Sequence, residues 1–76
     1  MNSTRDKKLL KKFGAHLKEL RIKKDYSLRR FADEADIDYS QLHRIEKGES
    51  NPTYTMLLAI ARGMNISIQE LISVKE

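Results

Sequence analysis

The sequence predicts a compact all-α domain of five helices. Three observations carry that prediction. Apolar residues recur three and four apart along most of the chain, the spacing of one helix face. No stretch alternates apolar and polar residues for long enough to argue a strand. Residues that start and stop helices recur at short intervals, so the helices are short and their connections tight.

The first helix spans about Thr4 to Lys24. Leu10, Phe13, Leu17 and Leu20 share its inner face, while Lys8, Lys11, Lys12, Lys18 and Lys23 lie mostly elsewhere. Gly14 costs a helix about 1 kcal/mol against alanine and gives room for close packing. Asp25-Tyr26-Ser27 breaks the pattern. The Ser27 hydroxyl can accept from the amides that a new helix leaves free. The second helix is then about Leu28 to Ala35, with Leu28, Phe31, Ala32 and Ala35 inward and Ala32 small enough for a close crossing. After a short Asp36-Ile37 turn, Asp38 opens a third helix, with Gln41 at capping-box spacing. Leu42 and Ile45 face inward, and Gly48, able to take positive φ, ends the helix. Beyond the Glu49–Pro52 loop, Thr53 caps a fourth helix to about Arg62. Met56, Leu57, Ile60 and Ala61 are its inner residues, and Gly63 stops it. Ser67 and Glu70 form a second capping box that opens a short fifth helix to about Ile72.

The 76 residues make one domain, 1–76, with no repeat, linker or low-complexity tail. The absence of cysteine removes disulfides, thiolate zinc sites and thiol nucleophiles together. The longest apolar runs, such as Met56 to Ala61, are too short to span a bilayer. Met1 to Lys12 is polar and basic with no apolar h-region, so a secretory signal is not expected and a cytoplasmic location is the default expectation. The net charge of +4 is unevenly spread: residues 1–30 carry eleven Lys and Arg against three acids, and residues 31–76 carry four against eight. Such a split fits either a polyanion partner or a solvated, Lys-rich first helix. Nothing points to an enzyme. There is no glycine-rich phosphate loop, and Ser40 and His43, three apart on a helix, both look outward. His43 and His16 are far apart in sequence and lack acidic ligand spacing, so His43 reads as polar surface, with no metal or cofactor expected.

The informative unit is residues 28–47. Its helix, short turn and helix bury Phe31, Ala32, Ala35, Ile37, Leu42 and Ile45. That leaves the outer side of the second of these helices polar and protruding. A helix fits the major groove of B-DNA, where its exposed side chains reach base edges.

The chain resembles the Cro and lambda-repressor-like helix-turn-helix domains of the XRE family. The resemblance rests on Leu20-Arg21, on Tyr26 to Ala32, on Ile37 to Gly48, and on Asn51-Pro52-Thr53, with the Leu-x-x-Ile-Ala and Ile-x-x-Leu phrases between Leu57 and Leu71. Ile-Glu-Lys-Gly followed by Asn-Pro is its most specific part. It implies a lambda-repressor-like fold and a sequence-specific DNA-binding transcriptional regulator, with its third helix in the operator major groove. It implies an ion pair between Arg21 and Glu46. It places Tyr39, Ser40, Gln41, His43 and Arg44 on the base-reading helix. Arg44 leads that set, because its guanidinium fork matches guanine O6 and N7. Ser27, Arg29, Arg30, Lys47, Asn51, Thr53 and Tyr54 are the corresponding phosphate contacts, which add salt-dependent affinity without sequence information.

Three features depart from the family pattern or add to it. Leu28 stands where a glutamine phosphate clamp is common, and leucine suits the core instead. Asp36 stands where the turn often has glycine, and aspartate tolerates positive φ better than most residues. Asp33, Glu34, Asp36 and Asp38 gather at the turn, where they would repel phosphates unless they point away, cap helices or serve a protein partner. Met64, Ile66, Ile68, Leu71, Ile72 and Val74 form an apolar surplus that predicts a homodimer contact, the competing use being closure of the core. A two-fold pair would set its groove helices about 34 Å apart on an inverted repeat. No separate dimerisation or ligand domain is expected beyond the fifth helix. Phage repressors, antitoxins and restriction-modification controllers share this resemblance. An antitoxin or protein-interaction role on the same fold is therefore the alternative to operator binding.

Overall fold

Ser27, Thr53 and Ser67 start helices in the same way. Each sits in extended backbone, and its hydroxyl oxygen accepts from the amide three residues on: Arg30 at 3.1 Å, Met56 at 3.3 Å and Glu70 at 3.0 Å. A bond of this kind satisfies one of the amides that a helix start leaves free. The computed structural model describes residues 3–74, with side chains from Asp6 to Val74. Met1, Asn2, Lys75 and Glu76 lie outside the described residues, so the beginning of the polar N-terminal segment does too. The described chain forms α1 (Ser3–Lys23), α2 (Leu28–Ala35), α3 (Tyr39–Glu46), α4 (Tyr54–Met64) and α5 (Ile68–Ile72), and no strand.

Four helices end by one device. Asp25, Asp36, Gly48 and Asn65 take left-handed φ values of 60°, 55°, 75° and 58°. The amide of the next residue then reaches back to a carbonyl five residues earlier: Tyr26 to Arg21 at 3.2 Å, Ile37 to Ala32 at 2.9 Å, Glu49 to Arg44 at 2.9 Å and Ile66 to Ala61 at 3.0 Å. This is the Schellman arrangement, which satisfies carbonyls left over at a helix end. Only one of the four turning residues is glycine. The other three are Asp or Asn, the side chains that best tolerate this region.

Two local expectations are corrected. Gly63 does not stop α4, which continues to Met64 and ends at Asn65. Gly63 is instead the place where α4 meets α2: a Cβ there would stand 2.8 Å from both Cα and Cβ of Ala35. The Asp38–Gln41 capping box does not form. Asp38 has ψ 130°, against 157–166° at the three working caps, and makes no side-chain bond to the helix start. Its carboxylate instead accepts from the Ser40 hydroxyl at 2.9 Å.

The core comprises Leu17, Phe31, Ala32, Ala35, Leu42, Ile45, Ile60, Ala61, Met64 and Leu71. Phe13, Leu20, Leu28, Met56 and Leu57 pack against it. Helix α2 is central and rests on α3 and α4, while α1 crosses α3 and α5 closes on α4. Met64 and Leu71 are fully buried within this chain, so they drop out of the predicted dimer contact. They belong with Ile60 to the one core cluster and offer no accessible surface. Among the described residues, no helix is long and apolar enough to cross a membrane.

Candidate nucleic-acid interface

Helix α3 has two sharply different sides. Leu42 and Ile45 are almost fully buried. Tyr39, Ser40, Gln41, His43 and Arg44 are all exposed. The helix is short, so this division places five side chains capable of base contact on the solvent side of a rod held from behind by two anchors. Gln41, free of any cap, is available on that side.

The rod is held at its far end by Arg21. The Arg21 Nε donates to Glu46 Oε2 at 2.6 Å, and a second guanidinium nitrogen donates to Oε1 at 3.1 Å. A third Arg21 N–H reaches the Tyr26 carbonyl at 2.8 Å. The two side chains keep only 11% and 5% of their accessible surface. One guanidinium therefore ties the end of α1, the loop before α2 and the end of α3 together. Forked pairing of this kind fixes orientation as well as distance.

At the other end of α3, Arg29 lies over the Tyr39 ring, its Cζ 4.6 Å from the centroid. The Tyr39 ring is 6.2 Å from that of His43 and inclined by 30°. This column joins α2 to α3 across a gap of ten residues, and spacing along one helix could not have revealed it. Arg30 stacks separately on Tyr26, with its Cζ 4.4 Å from the centroid.

Ser27 and Thr53 are helix caps, and Ser27, Arg29, Arg30, Thr53 and Tyr54 all remain exposed. Lys47 is exposed and pairs with Glu49 at 3.4 Å. Asn51 is exposed at the rim of an apolar hollow lined by Leu9, Leu10, Phe13, Pro52, Leu57 and Ile72. Leu28 is half-buried against the core. The acids at the turn divide by task. Asp36 ends α2 in the left-handed conformation, and Asp38 holds Ser40. Asp33 and Glu34 are exposed on α2.

Comparison with known proteins agrees with this geometry. The HTH_3 helix-turn-helix model matches residues 17–71. The HTH-type transcriptional regulator SutR of Escherichia coli (strain K12) is 39% identical over 57 residues, which are 75% of this chain and 32% of SutR, so the chain spans about a third of that relative's length. Control protein C.MunI of a Mycoplasma species is 38% identical over 63 residues, covering 82% of this chain and 85% of that protein. In three dimensions, the restriction-modification controller protein C.AhdI from Aeromonas hydrophila superimposes with a TM-score of 0.81 at 33% identity, covering 83% of this chain and 96% of that one. With α2 and α3 forming the motif and the family match running from Leu17 to Leu71, the chain belongs to the HTH_3, XRE-type family of helix-turn-helix proteins.

Proposed function

We propose that the protein is a sequence-specific DNA-binding transcriptional regulator that lays α3 in the major groove of its operator. The observation that carries this reading is the two-sidedness of α3, with Leu42 and Ile45 in the core and Tyr39, Ser40, Gln41, His43 and Arg44 in solvent. Phosphates would be met by the start of α2, with Ser27, Arg29 and Arg30, and by the α3–α4 connection, with Lys47, Asn51, Thr53 and Tyr54. A control protein and a restriction-modification controller match this chain along 85% and 96% of their own lengths, which favours a controller role over other uses of the fold.

The test is titration with duplexes selected from a random pool, at two salt concentrations. Binding should weaken steeply with salt, because each neutralised phosphate releases counterions. Arg44→Ala should cost about 1–3 kcal/mol and relax preference at a single base position. Salt-insensitive binding, or an Arg44→Ala chain with wild-type selectivity, would overturn the reading.

The reading extends to a two-fold dimer. With Met64 and Leu71 in the core, Ile72 becomes the centre of the proposed contact, 53% exposed at the end of α5. Ile66, Ile68 and Val74, each half-buried, complete the proposed set. Wild-type protein should sediment as a dimer at micromolar concentration, and Ile72→Asp should give a folded monomer with weakened binding to an inverted repeat. An Ile72→Asp chain that still sediments as a dimer places the contact elsewhere.

A further inference from the structure

We propose that Arg29 sets base preference through Tyr39, as a positioning residue in addition to any phosphate contact. The proposal rests on the reading of α3 as the groove helix. Tyr39 is the first residue of α3, so no helical turn lies beneath its ring to restrict it. Asp38, just before it, makes no cap bond to steady the helix start. The ring nevertheless has defined neighbours: the Arg29 guanidinium 4.6 Å from its centroid, and the His43 ring one helical turn on, at 6.2 Å. The guanidinium is attracted by the ring's electron-rich face. Its edge N–H groups stay free to meet a phosphate, because a planar fork can stack through its face and donate through its rim. Arg29 can therefore bind backbone and aim Tyr39 at once, converting a mobile ring into a fixed contact for a base edge or a thymine methyl.

Arg30 provides the internal control. It is adjacent in sequence, has the same side chain and also stacks on a tyrosine, at 4.4 Å, but that ring is Tyr26, before α2 and not on α3. Lysine in place of either arginine keeps the positive charge and loses the planar stack.

The experiment compares base-preference profiles of wild type, Tyr39→Ala, Arg29→Lys and Arg30→Lys, selected from random duplexes and confirmed by titration. Thermal melts check that each variant is folded. Tyr39→Ala identifies the base position that the ring serves. Arg29→Lys should lose preference at that same position by up to about two- to fivefold, the range set by an exposed cation–π contact, because the ammonium has no planar face to hold the ring in one orientation. Its salt slope and the preference due to Arg44 should be unchanged. Arg30→Lys, at a proposed phosphate contact, should shift affinity for every sequence alike and keep the relative preference at that position. An Arg29→Lys profile identical to wild type, or uniform weakening on every sequence, overturns this proposal and leaves the DNA-binding reading standing. Tyr39→Ala without effect at any position overturns it as well. Failure of the wild-type chain to bind any duplex rejects the DNA-binding reading itself.

Discussion

Arg21→Ala should lower folding stability by about 3–5 kcal/mol, the cost of stranding one member of a buried ion pair. Glu46 would be left with a carboxylate whose side chain is 5% exposed and whose two oxygens have lost partners at 2.6 and 3.1 Å. The Tyr26 carbonyl would lose its donor in the same step. At about 0.05–0.15 kcal/mol per residue, a chain of 76 residues has a margin of about 4–11 kcal/mol, so the variant would lose a large part of it. At about 4–8 °C per kcal/mol, its melting temperature should fall by 12 °C or more. Two companion chains test the cause. Lys47→Ala removes an exposed pair, 55% and 52% accessible, and should cost no more than about 1 kcal/mol. The double variant Arg21→Met, Glu46→Leu should recover much of the loss, because apolar groups of similar volume replace a buried pair without leaving a lone charge. Thermal and urea unfolding followed by circular dichroism decide the matter. A loss from Arg21→Ala no larger than that from Lys47→Ala would mean that the pair is too well solvated to hold α3.

Most of the fold was legible in the sequence because its signals are local. Stripes three and four apart gave the inner faces, and Ser27, Thr53 and Ser67 marked helix starts that depend on one hydroxyl and one nearby amide. The errors fall where a residue's role is tertiary. Gly63 reads as a stop along the chain, but its lack of a side chain serves Ala35 on another helix. Asp38 has the right chemistry for a cap and the wrong ψ to use it. Apolar character said that Met64 and Leu71 would be covered, without saying whether by this chain or a second copy, and this chain covers them fully. The candidate site divides along the same line. The outer face of α3 follows from Leu42 and Ile45 alone, whereas the contact of Arg29 with Tyr39 depends on how α2 and α3 cross.

Gly14→Ala is the prediction in which local and tertiary physics disagree in sign. In an isolated helix the change should stabilise by about 1 kcal/mol, because alanine restricts the unfolded chain and glycine does not. Here the new methyl would stand 2.7 Å from the Ile45 carbonyl oxygen and 2.8 Å from the Glu46 carbonyl carbon, and would also strike the Glu46 carbonyl oxygen. These are backbone atoms of the last turn of α3, and no rotamer change can move them aside. Helix α1 would have to back away from α3. That withdrawal would loosen Leu17, which is fully buried, and stretch the pair that Arg21 makes two turns further along the same face of α1. Overpacking of this kind costs about 1–3 kcal/mol, occasionally more, and contact with rigid backbone puts this site at the upper end. The expected result is a net loss of about 2–3 kcal/mol in urea unfolding. Ala15→Gly, on the exposed side of the same turn, should lose only about 1 kcal/mol. The two substitutions exchange the same pair of residues at adjacent positions, so propensity alone predicts opposite signs for them and close packing predicts losses from both. A Gly14→Ala chain more stable than wild type would show that α1 does not press on the end of α3. Helix α3 would then be steadied by its side-chain anchors and not by backbone contact.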